Sequence, residues 1–302
     1  MSNSWHAVWQ WAIVPFTFDF MWEALWVGCF GALCCAVVSC FVVSKGWSLV
    51  GDAVSHAVLP GIILAWLAAV PLLVGAMVSG ILCVLLAGWV NRRSRIKADT
   101  ALGICFTGFL ALGLILMSTV SSNVHFSHVL LGHLLGITQE ARLQLLSAGG
   151  LALLIVACRF SDLKLFCFDA VQARVAGLNT TVLNMLLLMC LALTTIATLQ
   201  AVGLVQAIAM LVTPGAIGTL MSRRFVTGMM IGIAASMLAV WSGLLIAFHA
   251  NLSPGSCIVL VQFALFLLTL IGSPYRGYLA RRWRGRRRIS SEEGSPLPVR
   301  SV

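Results

Sequence analysis

Apolar residues along this chain gather into long runs separated by short polar stretches, without the strict alternation of surface strands. A window of about 19 residues isolates runs near 22–44, 53–69, 71–90, 100–119, 143–158, 180–200, 202–221, 227–249 and 255–273. The pattern predicts an all-α polytopic membrane protein with about nine transmembrane helices. The runs around 60, 71 and 214 are broken by Pro60-Gly61, Pro71 and Pro214-Gly215. Broken helices in membranes tend to line a cavity, where freed backbone groups find partners.

The polar stretches set an orientation. Lys45, the stretch Asn91-Arg92-Arg93-Ser94-Arg95-Ile96-Lys97, the segment with Arg159, Lys164 and Arg174, the pair Arg223-Arg224 and the C-terminal cluster are basic. With nine spans all of them fall on one side, which is then the cytoplasmic one. The N-terminus is expected outside, where Asp19 and Glu23 are acidic and the tryptophans at 5, 9, 11, 22 and 26 form an interfacial belt. The expected division is an outer N-terminal segment 1–21, a transmembrane domain 22–274 and a basic cytoplasmic tail 275–302. From Ser290 onward the tail mixes Ser, Glu, Gly and Pro and is expected to be disordered. No Lys or Arg lies in the first twenty residues, so no cleavable leader is expected and the first run stays as a span.

Composition supports this class. The chain is 60% apolar and only 9% charged, more apolar than a soluble core of its size requires. Its net charge of +10 is concentrated in Arg276 and the cluster Arg281, Arg282, Arg284, Arg286, Arg287 and Arg288. Such a cluster after a hydrophobic span is an anchor beside anionic lipid headgroups, and no nucleic-acid partner is implied. The ten cysteines form no C-x-x-C pair and read as small buried hydrophobes.

Chemistry concentrates in Gly51-Asp52-Ala53-Val54-Ser55-His56-Ala57-Val58-Leu59-Pro60-Gly61. Asp52 and His56 are four apart, so a helix stacks them on one face. An Asp at bilayer depth costs roughly 2.5–3.5 kcal/mol, so a partner or a function is expected there. A carboxylate oxygen with an imidazole nitrogen suits Mn²⁺, Fe²⁺ or Zn²⁺, and equally suits a hydrogen bond that only fixes the helix. Spacing alone leaves both open.

Elsewhere the signals are weaker. An outer connection near 120–141 contains His125, His128 and His133, either an outer-mouth metal relay or surface histidines without a ligand role. Gln200 and Gln206 are expected to hydrogen bond between helices. The inner connection near 159–179 is amphipathic and too polar to span. It ends in Ala173-x-x-x-Gly177, which fits the latter part of the E-A-A-x-x-x-G loop by which importer membrane subunits dock their ATPases, without the Glu. No G-x-x-x-x-G-K-[ST] occurs, so ATP-driven work would need a separate nucleotide-binding chain. No Ser-His-Asp or H-E-x-x-H pattern points to an enzyme.

The stretch Lys45–Gly61 closely resembles the signature of the membrane subunits of bacterial manganese/iron/zinc ABC importers, the ABC-3 family. The resemblance continues through Asn91–Asp99, Leu130–Gly136, Phe168–Asn179, Gln200–Leu204 and Ala209–Ala216. It implies the type II ABC importer permease fold, with Asp52 and His56 as metal ligands in the permeation pathway. It further implies that Asp169, Ala173 and Gly177 lie in the segment that docks a cytoplasmic ABC ATPase. A second permease subunit, homo- or heterodimeric, and an external metal-binding protein complete the implied assembly in the inner membrane. No cofactor is held permanently; a divalent metal ion is the cargo. A permease for a siderophore or cobalamin chelate on the same fold is the alternative within transport, and a membrane enzyme or assembly factor the one outside it. His133 and Gln206 depart from the family pattern, and the tail is more basic than it predicts.

Overall fold

The computed structural model describes residues 14–47, 50–70, 72–94, 96, 98–119 and 136–273. Among them no strand occurs. Helix α1 spans Asp19–Lys45, about 40 Å at 1.5 Å per residue, and is followed by the short pair α2 (Val50–Ala57) and α3 (Leu59–Leu67). Then come α4 (Leu72–Arg93), α5 (Ala98–Thr119) and α6 (Gln139–Cys158), the last with a π turn at Leu145–Gly149. Two short helices, α7 (Phe160–Phe168) and α8 (Ala170–Val175), lead into α9 (Thr180–Val202), α10 (Leu204–Met221), α11 (Phe225–Ala250) and α12 (Pro254–Gly272).

Every apolar run of the sequence is helical in the described residues, and seven helices are long and apolar enough to cross a membrane. The remaining two runs are the shorter stretches Gly51–Leu67, built from α2 and α3, and Val205–Met221. Helices α1 and α9 are the most buried and form the centre, while α5 and α12 keep most of their apolar surface outward. An outward apolar surface suits lipid, and a packed centre with small residues suits helix association there. Gly61 and Gly75 illustrate this: a methyl on either would strike the backbone carbonyl of the other, so α3 and α4 meet backbone to backbone.

The three proline breaks behave differently. Pro60 sits in the first turn of α3, where its missing N–H is harmless, so the chain divides into two helices around Val58. Pro71 lies outside the described residues. Pro214, expected to break its run, does not: α10 continues through it. The reason lies in α1. The buried Ser39 hydroxyl accepts from the Gly215 N–H at 2.9 Å and donates to the Val212 carbonyl at 3.3 Å, supplying partners around the proline.

All ten cysteines are free, and eight, including Cys34, Cys35, Cys40 and Cys190, are buried as apolar filler. Gln206 is buried as well, but its amide nitrogen reaches only the Met210 sulfur at 3.9 Å rather than another helix. Trp22 and Trp26 are exposed at the start of α1, while the tryptophans at 5, 9 and 11 lie outside the described residues.

Candidate metal pathway and docking segment

In α2 the four-residue spacing does what helical geometry demands. Nε2 of His56 lies 3.3 Å from Oδ1 of Asp52, and the two side chains are 31% and 39% exposed. Neither is sealed in the core, so both donors face an accessible space. The His56 ring lies against Phe106 of α5, with centroids 6.1 Å apart and planes 28° from parallel. Ser55 turns inward, donating to the Gly51 carbonyl at 2.8 Å, which leaves Asp52 and His56 as the outward polar face of α2.

The separation is chemically informative. Two donors 3.3 Å apart, each at a metal–ligand distance of about 2.1 Å, subtend about 100° at the ion. That angle lies between octahedral and tetrahedral values, so one cation can take both donors. Among the described residues no group of three His, Cys, Asp or Glu side chains is placed to hold a metal. Among the described residues Asp52 and His56 therefore stand as a pair of donors, with no third one beside them. His125, His128 and His133 lie outside the described residues.

Gly51 lies beside α10. A methyl at Gly51 would strike the end of the Leu211 side chain of α10, so at this point α2 packs against α10 with no side chain of its own between them. Asp52 follows directly along α2.

On the polar side predicted to be cytoplasmic, α7 and α8 form a compact elbow. Asp169 caps α8, its carboxylate accepting from the N–H groups of Val171 and Gln172 at 2.9 Å each. Gly177 ends it at φ +79°, a left-handed conformation that glycine takes without penalty. The Gly177 N–H donates to the Arg174 carbonyl and the Leu178 N–H to the Ala173 carbonyl, both at 3.0 Å, the bond pair of a Schellman cap. This accounts for the Ala-x-x-x-Gly spacing: Ala173 is the buried residue of the last turn, and Gly177 its left-handed terminator. Ala173 thus packs inward. The outward apolar side chains are Phe168, Val171 and Val175, exposed by 63%, 70% and 83%.

Beside Phe168 a cavity of about 620 Å³ opens, lined among others by Cys40, Ser44, Thr219, Arg223, Arg224 and Phe225. An aromatic cluster braces the elbow: Phe41 of α1 meets Phe160 at 5.7 Å and Phe225 at 4.9 Å, and Phe168 meets Phe225 edge-on at 5.6 Å. Lys45, the last residue of α1, donates to the Phe166 carbonyl at 3.1 Å. At the opposite end, Arg142 of α6 pairs with Glu23 of α1 at 2.6 Å. Sequence reasoning missed these links because the paired residues stand more than a hundred positions apart.

Residues 17–273 match the ABC 3 transport family. The chain is 43% identical over 278 residues to the manganese transport system membrane protein MntB of Synechocystis sp., covering 92% of this chain and 91% of that one. It is 44% identical over 257 residues to the chelated iron transport system membrane protein YfeD of Yersinia pestis, covering 85% and 86% respectively. Among solved structures, PsaBC from Streptococcus pneumoniae in complex with Fab superposes with a TM-score of 0.78 at 31% identity, covering 89% of this chain and 98% of that one.

Proposed function

The chain belongs to the ABC 3 transport family, and on that premise we propose that it is the membrane-spanning permease subunit of an ATP-driven importer for a divalent transition-metal ion, Mn²⁺, Fe²⁺ or Zn²⁺. The observation that carries the reading is the Asp52–His56 pair, two hard-to-borderline donors 3.3 Å apart and open to solvent in a largely apolar chain. In this reading Asp52 and His56 hold the ion in transit, and a second permease subunit facing them supplies another pair. Four oxygen and nitrogen donors without thiolate disfavour Cu(I). The same donors bind Zn²⁺ more tightly than Mn²⁺, so the choice of metal falls to the external metal-binding protein that delivers the ion. A charged pair suits a bare cation better than a bulky chelate.

The chain crosses the membrane nine times, α2 with α3 and α10 providing the two shorter passages, with the N-terminus outside and the C-terminal tail cytoplasmic beside anionic lipid. A separate cytoplasmic ABC ATPase docks on the elbow, taking Phe168, Val171 and Val175 into an apolar groove while Asp169, Ala173 and Gly177 hold α8 in shape. The test is metal uptake by the complete complex in liposomes. Asp52→Ala and His56→Ala should each abolish ATP-dependent uptake while assembly is preserved; wild-type rates in the double variant would refute the ligand role.

A further inference from the structure

Helix α7 is short, and the carbonyls of its last turn have no partner within it. One of them, that of Phe166, takes the Lys45 ammonium at 3.1 Å, and the same ammonium lies 3.7 Å from the centre of the Phe166 ring. A lysine in this position caps the helix end and complements its dipole. The contact sits three residues before Asp169, where α8 begins. At its other end α7 is held by Phe160 against Phe41. Both grips come from α1, so the docking elbow is fastened to α1 at two points.

Helix α1 in turn holds α10. Ser39 lies within the same helix as Lys45 and is fully buried, with its hydroxyl bonded to Val212 and Gly215 on either side of Pro214. One residue before Val212, Leu211 packs where Gly51 lacks a side chain, and Asp52 is next along α2. The described residues thus form a continuous series of contacts from the docking elbow to the metal donor, through Lys45, Ser39 and Leu211.

We propose that Lys45 is a positioning residue for transport: it converts displacement of the docking elbow into displacement of α1, which α10 passes to the helix bearing Asp52. Every later link is buried hydrogen bonding or close packing, which switches between discrete arrangements rather than deforming smoothly. The Lys45 contact is the polar joint at which the elbow meets that series. This inference rests on the importer reading, because it assigns Lys45 to the coupling of ATP hydrolysis to uptake.

The test uses the complete complex in liposomes with Mn²⁺ as the probe, recording ATP hydrolysis and uptake in the same vesicles. Lys45→Met keeps the length and packing of the side chain and removes its donors. It should leave assembly, thermal midpoint and hydrolysis near wild type while uptake per ATP falls at least tenfold, and Lys45→Arg should restore most of it. Ser39→Ala should lower uptake per ATP as well, and combining it with Lys45→Met should add little, since both interrupt one series. Wild-type uptake per ATP in Lys45→Met, or independent, multiplying losses in the double variant, would overturn the proposal. If Lys45→Met fails to assemble, an unchanged ratio in Ser39→Ala overturns it. A wild-type complex that takes up Mn²⁺ without ATP would instead overturn the importer reading itself.

Discussion

Loss of the two terminators of α8 should melt that helix without disturbing the spans. Six residues are too few for a helix to stand alone in water, so α8 depends on its ends. Asp169→Ala removes the acceptor of two N–H groups and should cost about 1 kcal/mol. Gly177→Ala forces a side chain to φ +79° and should cost about 1 kcal/mol more. The two caps use different partners at opposite ends, so the effects should add to about 2 kcal/mol, roughly a 30-fold shift toward the open segment. Hydrogen exchange over 170–178 in the detergent-solubilised chain reads this directly as lost protection. Asp169→Asn should retain most of the protection, because Asn caps as well as Asp. Undiminished protection in the double variant would show that the two caps do not hold α8, as would an Asn variant as open as the Ala one.

Topology is checked by cysteine labelling in a background without native cysteines: a label at Arg223 or after Arg281 should be cytoplasmic, and one between His125 and Gln139 external. Gly51→Ala should overpack against Leu211 and cost about 1–3 kcal/mol, seen as a lower thermal midpoint and, through Asp52, as impaired uptake. Burial pushes the Cys167 thiol up to about 11, with the Lys45 charge pulling weakly the other way. It should therefore resist maleimide at neutral pH while exposed Cys158 reacts. Because the folded state holds that proton more tightly than the unfolded one, its contribution to stability should fall as pH rises from about 9 toward 11.

Much of this architecture is legible in the chain. Runs of apolar residues report helices reliably because lipid and a packed centre both demand them, so all nine runs are helical where described. The Asp52–His56 pair was legible for the same local reason: spacing of four places two side chains together whatever surrounds them. Asp169, Ala173 and Gly177 were picked out as a segment, but their separate tasks needed backbone angles. Ala173 turns inward and Gly177 is left-handed, and the outward residues are Phe168, Val171 and Val175. Pro214 misled because the sequence shows the missing N–H and hides the Ser39 hydroxyl that makes it tolerable. Lys45 read as a cytoplasmic charge at the head of the signature stretch, and its contact with Phe166 stayed hidden because that partner lies 121 residues away.

In the proposed function His56 and Asp52 touch the ion itself. Electron spin-echo modulation on Mn²⁺ held by the full complex reports nitrogen directly bonded to the metal. Imidazole nitrogen modulation should be present in the wild type, lost in His56→Ala, and retained with altered zero-field splitting in Asp52→Ala. Nitrogen modulation unchanged in His56→Ala would rule out His56 as a ligand of the ion.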